Sequence, residues 1–191
     1  MPLPRRFYLR PAGAVARDLL GCVLVARRRG AITAGRIVET EAYLGPEDRA
    51  SHAAFRPGSH ALFYGEGGVA YVYLNYGMHC CLNAIAGRKG HPGCVLIRAL
   101  EPVMGLAAMT RRRGVPRDSP RLAGGPGNLT RALGVTLAHN GADLTAGRLT
   151  IEPPAEPRDF RIASGPRVGI TRSRNLRLRF WIAENRCVSK R

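Results

Sequence analysis

Apolar and polar positions change their period several times along this chain, and the changes outline its elements. Residues 11–21 let Ala14, Ala16, Leu19 and Leu20 share one face of a helix, and Gly21 closes the segment. Residues 22–26 are short and apolar, as a buried strand is, and residues 27–30 read as a basic turn. Residues 33–43 alternate in character, predicting a second strand that Gly45-Pro46 ends. Residues 45–70 lose periodicity and are rich in Gly, Ala, Pro and His, the pattern of a long loop that carries function in a compact domain. Residues 70–74 and 78–86 predict two strands joined across Asn75-Tyr76-Gly77, and residues 93–100 predict another. Residues 105–113 read as a helix, 114–125 as a basic loop, and 128–133 as a short helix. Residues 149–152, 167–170 and 177–183 read as strands. Strands dominate, which predicts an α+β fold around an antiparallel sheet.

Length and charge narrow the partners. A chain of 191 residues can bury one sizeable core, and with no internal repeat or linker a single domain over residues 1–191 is expected. Net charge is +17, and all 30 basic residues except Lys89 and Lys190 are arginine. A domain this basic meets a polyanion, and guanidinium forks suit phosphate. The arginines are scattered rather than lined along one amphipathic helix, which favours nucleic acid over a lipid surface. No apolar run reaches the roughly 18 residues of a membrane span, and no signal or lipidation motif is present, so a cytoplasmic protein close to the nucleoid is expected. The five cysteines are odd in number, irregularly spaced and without a CxxC, the pattern of reduced thiols rather than a metal site or disulfides; no cofactor is expected.

Three constellations can carry chemistry. In strand geometry Ile37, Glu39, Glu41 and Tyr43 would share one face. Such a face is either solvated or a site, and its continuation through Glu47, Asp48 and His52 favours a site in which a carboxylate activates water. Composition alone does not choose between Glu39 and Glu41. The second is Tyr71-Val-Tyr73-Leu-Asn-Tyr76. Tyr71 reads as ordinary cross-strand packing, whereas Tyr76, at the hairpin tip, suits a wedge that enters a DNA groove. The third is Gly124-Gly125-Pro126-Gly127-Asn128, a Gly-rich turn entering a helix, whose N–H groups suit backbone phosphate without the lysine of a nucleotide-binding loop. A plain loop-to-helix turn has the same pattern.

Together the strings Ala16-Arg-Asp-Leu-Leu-Gly21, Gly35-Arg-Ile-Val-Glu-Thr-Glu-Ala-Tyr-Leu-Gly-Pro-Glu-Asp48, Tyr71-Val-Tyr-Leu-Asn-Tyr-Gly-Met78, Val95-Leu-Ile-Arg-Ala-Leu-Glu-Pro102 and Gly125-Pro-Gly-Asn-Leu129 resemble the alkyladenine (3-methyladenine) DNA glycosylase family, in order, from about residue 10 to about residue 185. The resemblance implies one domain around a curved antiparallel sheet with peripheral helices and a protruding hairpin. It implies a monofunctional enzyme that flips an alkylated or deaminated purine out of duplex DNA and hydrolyses its bond to the sugar; because such excision needs one site on one lesion, a monomer is expected. Glu41 matches the general base, and Arg98 a basic residue near the attacking water and the DNA backbone. Tyr43, His52 and Tyr73 match the residues that sandwich the base, Asn83 the asparagine that disfavours normal guanine, and Tyr76 the residue that fills the gap in the duplex. His79 stands where an aromatic residue often follows Tyr-Gly-Met, and Leu62-Phe63 and Gly65–Gly68 also depart from the family pattern; these border or line the expected pocket.

Other chemistries fit less well. A bifunctional lyase needs an amine, and only Lys89, Lys190 or an exposed Pro2 could supply one outside the matched motifs. A zinc base deaminase needs H-x-E and P-C-x-x-C, which are missing. A noncatalytic nucleic-acid-binding protein would account for the charge but not for the ordered set Glu41, Tyr43, His52 and Tyr73.

Overall fold

A computed structural model describes residues 1–28, 30–56, 59–154 and 157–189. Six strands form one antiparallel path in the order β3-β4-β5-β2-β1-β6, made of β1 (Val23–Arg28), β2 (Ala31–Tyr43), β3 (Ala70–Asn75), β4 (His79–Ile85), β5 (Cys94–Met104) and β6 (Leu149–Glu152). The 13-residue β2 is the spine. Its first half pairs with β1, and its second half pairs through Glu39–Glu41 with β8 (Arg179–Ile182), which in turn carries β7 (Ile162–Gly165). Changing partners part-way along one strand curls the sheet, so the α+β fold with a curved antiparallel sheet is observed.

The two faces of the sheet have different covers. Helices α2 (Ala12–Asp18), α5 (Leu106–Arg113) and α6 (Pro126–Leu133) serve one face, where Leu19, Leu24, Leu82, Ile97, Leu100 and Leu129 pack in the main core. Burying each such side chain contributes roughly 1.5–3 kcal/mol. Period-two alternation sends the neighbours the other way. On β3, Ala70 and Val72 join the core and Tyr71 and Tyr73 turn from it; on β4, Leu82 and Ala84 join the core and Cys81 and Asn83 turn away; on β5, Val95 and Ile97 join it, and Leu96 and Arg98 face the other side. There a smaller cluster of Ala53, Phe63, Tyr71, Ile85 and Cys94 lies under irregular chain.

Several expectations need correction. Ile37 does not share the face of Glu39, Glu41 and Tyr43: the register with β5 shifts between Ile37 and Glu39, and Ile37 and Val38 both pack in the main core. A bulge of this kind reverses which residues face inward. Residues 167–170 are a loop, not a strand; the strand before β8 is β7, at Ile162–Gly165. The expected basic turn at 27–30 begins later, because β1 runs through Arg28; position 29 lies outside the described residues. The aperiodic stretch 45–70 carries two single-turn helices, α3 (His52–Phe55) and α4 (His60–Phe63), and another, α1 (Arg5–Tyr8), opens the chain. Four-residue helices are too short to leave a periodic signal.

Candidate active site

The second face of the sheet holds a cavity of about 520 Å³, walled by β2–β5, by residues between 49 and 55 with Phe63, and by residues 168–172. That volume lies within the roughly 300–1,000 Å³ of small-molecule sites. Tyr43, His52, Phe63, Tyr71 and Tyr73 make its lining aromatic, Asn83 and Arg98 add polar groups, and the exposed arginines Arg49 and Arg172 stand at its edge.

Two carboxylates lie behind this wall, and their surroundings distinguish them. Both Glu39 and Glu41 are 0% exposed, so the solvated-face reading of this strand does not hold. Glu39 is consumed by structure. Its Oε1 accepts from Arg98 Nε at 3.0 Å and from Arg179 Nε at 2.7 Å, while its Oε2 accepts from the Ser189 N–H at 2.7 Å. Glu41 is held by residues of the cavity wall itself: Oε2 accepts from the Tyr43 hydroxyl at 2.9 Å, Oε1 accepts from the Val168 N–H at 2.7 Å, and Arg98 Nη1 stands 3.4 Å from Oε1. Tyr43, Val168 and Arg98 line the cavity, and Glu41 sits immediately beneath them. Register explains how Arg98 reaches both. Glu39 pairs with Ala99 and Thr40 with Ile97, so Arg98 is the extra residue of a bulge on β5. Bulges re-aim side chains beside functional sites. Burial works against the charge on Arg98, but Glu41 and Glu39 outweigh it and raise its pKa further.

Tyr43 is held at its hydroxyl and at its ring. Its hydroxyl serves Glu41, burial raises its pKa, and the Arg167 guanidinium lies 4.6 Å from its ring centroid. Arg167 makes a bidentate pair with Asp48, at 2.6 and 2.8 Å with both side chains fully buried, and donates to the Ala42 carbonyl at 3.0 Å. Burial alone would raise the Asp48 pKa; Arg167 and the N–H groups of Leu44 and Ala50 bring it below its ordinary value. This pair joins the end of β2 to the loop whose Val168 holds Glu41. Sequence reading noticed Asp48 as one carboxylate among several but missed Arg167, because the partners are 119 residues apart and no local pattern links them.

His52 lies with its Nδ1 2.8 Å from the Tyr71 hydroxyl and its ring 4.5 Å, centroid to centroid, from Tyr73 at 62°. Burial, reinforced by the nearby charge of Arg56, lowers its pKa to about 4. Burial also raises the pKa of Tyr73. Tyr71 is buried against Phe63, is stacked on Tyr73 of its own strand, and itself lines the cavity. Asn83 donates from Nδ2 to the Tyr71 carbonyl at 3.1 Å.

The hairpin of β3 and β4 reaches out beside the cavity. Tyr76, at its tip, is 80% exposed with φ +50°, a left-handed conformation strained for a tyrosine, and Met78 beside it is 71% exposed. Strain of this kind is retained where it serves a site. His79 is a correction to the expected pocket set: it is exposed and does not line the cavity. It pairs with Asn75 at the neck of the hairpin, one pleat repeat beyond Cys81, and packs against Gly127, where an added Cβ would come within 2.9 Å of the His79 side chain. That contact gives Gly127 a structural reason. Gly125 has φ +110°, and Asn128 returns its Nδ2 to the Gly124 carbonyl at 2.7 Å, so these residues also shape the turn into α6, whose Pro126 lines the cavity. Of the departures at 62–68, Phe63 lines the cavity, Leu62 packs behind it, and Gly67 lies against the Tyr8 backbone.

Of the amines a lyase would need, the two within the described residues are elsewhere. The Leu3 N–H bonds to Ile151 on β6, which puts Pro2 at the opposite end of the strand order from β3 and β4, and Lys89 does not line the cavity. Lys190 lies outside the described residues. Among the described residues no helix is long and apolar enough to cross a membrane.

Comparison with known proteins converges on one family. The profile described as methylpurine-DNA glycosylase matches residues 6–186. The chain is 46% identical over 194 aligned positions to a protein of Methanoculleus marisnigri, covering 100% of both chains. It is 45% identical to one of Bacillus licheniformis, covering 99% of this chain and 97% of the other. It is 42% identical to one of Myxococcus xanthus, covering 98% and 93%. All three carry the name "Putative 3-methyladenine DNA glycosylase".

Proposed function

This chain belongs to the methylpurine-DNA glycosylase family, and from that premise we propose that residues 1–191 act as one monomeric, monofunctional DNA N-glycosylase for alkylated or deaminated purines. The observation that carries this reading is a buried carboxylate, Glu41, whose partners Tyr43, Arg98 and Val168 all form the wall of an aromatic cavity.

The reaction begins with a damaged purine leaving the duplex, a step that costs a few kcal/mol and costs least for a damaged or mispaired base. Tyr76 fills the gap from its exposed tip. The base enters the cavity among Tyr43, His52 and Tyr73, and aromatic stacking returns about 1–3 kcal/mol. Asn83 crowds the exocyclic amine of normal guanine. Arg49, Arg172 and the N–H groups of Gly125, Gly127 and Asn128 take backbone phosphates, the salt-dependent part of binding. Water reaching the Arg98–Glu41 seam gives its proton to Glu41 and attacks C1′ of the sugar through an oxocarbenium-like transition state while the purine departs with the bonding electron pair. A cationic alkylpurine leaves as a neutral base. A neutral base such as hypoxanthine takes up a proton as it leaves.

The test is incubation of the full chain with duplexes carrying one 1,N6-ethenoadenine, hypoxanthine or 7-methylguanine, beside Glu41→Gln. Expected are strand breaks only after alkali, reduced in the variant by about 10²–10⁴-fold, the usual span of general-base catalysis. Breaks without alkali would replace this reading with a lyase, and DNA binding without purine release would replace it with a binding protein.

A further inference from the structure

Behind His52 runs a hydrogen-bond chain that the excision steps above do not use. The Tyr71 hydroxyl lies 2.8 Å from His52 Nδ1 and 3.0 Å from Ser59 Oγ, and Arg56 Nη1 approaches it at 3.5 Å. Tyr71 and Ser59 are both buried, so each hydroxyl hydrogen needs an acceptor.

The hydrogens can be distributed in two ways. If His52 Nδ1 held the proton and donated to Tyr71, Tyr71 would donate to Ser59, and the Ser59 hydrogen would have no acceptor among the described residues. If Ser59 donates to Tyr71 and Tyr71 donates to His52 Nδ1, both hydroxyl hydrogens are used. Arg56, which can only donate, adds to the Tyr71 oxygen in either case. The second arrangement is the satisfied one, and it leaves the single proton of a neutral imidazole on Nε2. Nε2 has no partner among the described residues, and His52 lines the cavity. The 62° between the His52 and Tyr73 rings means that both cannot lie flat on one base.

We propose that Ser59 and Tyr71 lock His52 in its Nε2–H tautomer and so make it an obligate hydrogen-bond donor to the extrahelical nucleotide. His52 then selects nucleotides that offer a lone pair at that point, from a ring nitrogen or carbonyl of the base or from a phosphate oxygen. Tyr71 and Ser59 are positioning residues that act through His52. Its lowered pKa supports this role, since the imidazole has one proton to place at neutral pH. The proposal rests on the glycosylase reading only for the identity of the ligand.

Imidazole ¹⁵N chemical shifts of the full chain, assigned with a His52→Gln variant, test it directly. The expected wild-type spectrum has a protonated Nε2 and an unprotonated Nδ1. In Tyr71→Phe, which keeps the ring packing, the two shifts should converge as the tautomers exchange. Binding of lesion DNA, measured in a Glu41→Gln background, should weaken about 3- to 10-fold, the worth of one hydrogen bond. A loss with hypoxanthine duplex alone puts the acceptor on the base; an equal loss with a duplex carrying a tetrahydrofuran abasic analogue puts it on the backbone. A wild-type proton on Nδ1, or Tyr71→Phe shifts identical to wild type, overturns the lock. Purine release by wild type is read separately. If release is missing while the proton sits on Nε2, the glycosylase reading fails and the lock stands.

Discussion

The two faces of this sheet are made by the same strands and obey different rules. Toward the helices, Val72, Leu82, Ile97 and Leu100 pack without a polar atom in their side chains. One residue away along each strand, Tyr73, Asn83, Leu96 and Arg98 face the cavity, with Glu39 and Glu41 behind its wall. The first face is what hydrophobic burial produces unaided. The second gathers buried charges, and well-packed apolar residues are often as stable as a buried ion pair or more so. Its cost is therefore met by the helix-covered face, and its composition reflects chemistry rather than folding.

The sharpest way to probe the contrast is to compare the two carboxylates. Glu39→Gln should lose about 3–5 kcal/mol of stability, because Arg98 and Arg179 would lose their shared buried partner. Glu41→Gln should cost much less stability, since the amide oxygen can accept from the Val168 N–H and the Tyr43 hydroxyl can turn to accept from the amide nitrogen, while excision falls by orders of magnitude. Denaturant melts beside single-turnover assays separate the effects; equal destabilisation by the two variants would erase the distinction.

Adjacent residues of β4 offer the next comparison. Leu82→Ala should cost about 2–5 kcal/mol and leave the relative excision of different bases unchanged. Asn83→Ala should cost about 1 kcal/mol and raise release of normal guanine relative to hypoxanthine. Thermal melts and competition assays on paired duplexes would detect an exchange of these outcomes, which would place the face boundary elsewhere.

Tyr76 stands at the exposed rim of the cavity, on the hairpin tip rather than within either packed face. Tyr76→Ala should leave the melting temperature unchanged or slightly raised, since an exposed, strained residue is removed. Excision from duplex should fall about 10-fold, matching roughly 1–2 kcal/mol of lost stacking, with less effect on single-stranded substrate. An unchanged duplex rate removes the wedge.

Acid should reach the cavity face first. The folded pKa of His52, about 4, lies below its ordinary 6.5, so its contribution to stability is fully present above pH 6.5 and is lost as pH falls from there toward 4. Asp48, already held below its ordinary 3.8, contributes above that value and loses its contribution only at still lower pH. Melting temperatures between pH 7.5 and 4.5 should therefore fall less steeply in His52→Gln than in wild type; parallel curves would mean that His52 is not held neutral.

Local signals in the chain were enough for much of this architecture. The turn Asn75-Tyr76-Gly77 between apolar runs announced the hairpin, the alternation of residues 33–43 announced β2, and Gly114 and Gly134 stop the helices α5 and α6 with left-handed φ of +69° and +75°. These are short-range effects of backbone sterics and side-chain period, and each is complete within a few neighbouring residues. What lay beyond reach depends on partners far along the chain. The bulges that put Ile37 in the core and aim Arg98 at two carboxylates exist only when β2 pairs with β5. The Asp48–Arg167 pair, and the Val168 N–H on Glu41, need the end of β2 and a loop more than a hundred residues later to meet. Glu39 and Glu41 are equivalent by alternation and become different only because Arg179 and Ser189 arrive beside one, and Tyr43 and Val168 beside the other. Residue type and spacing thus select the elements and the kinds of groups available, whereas burial and long-range pairing assign each group its work.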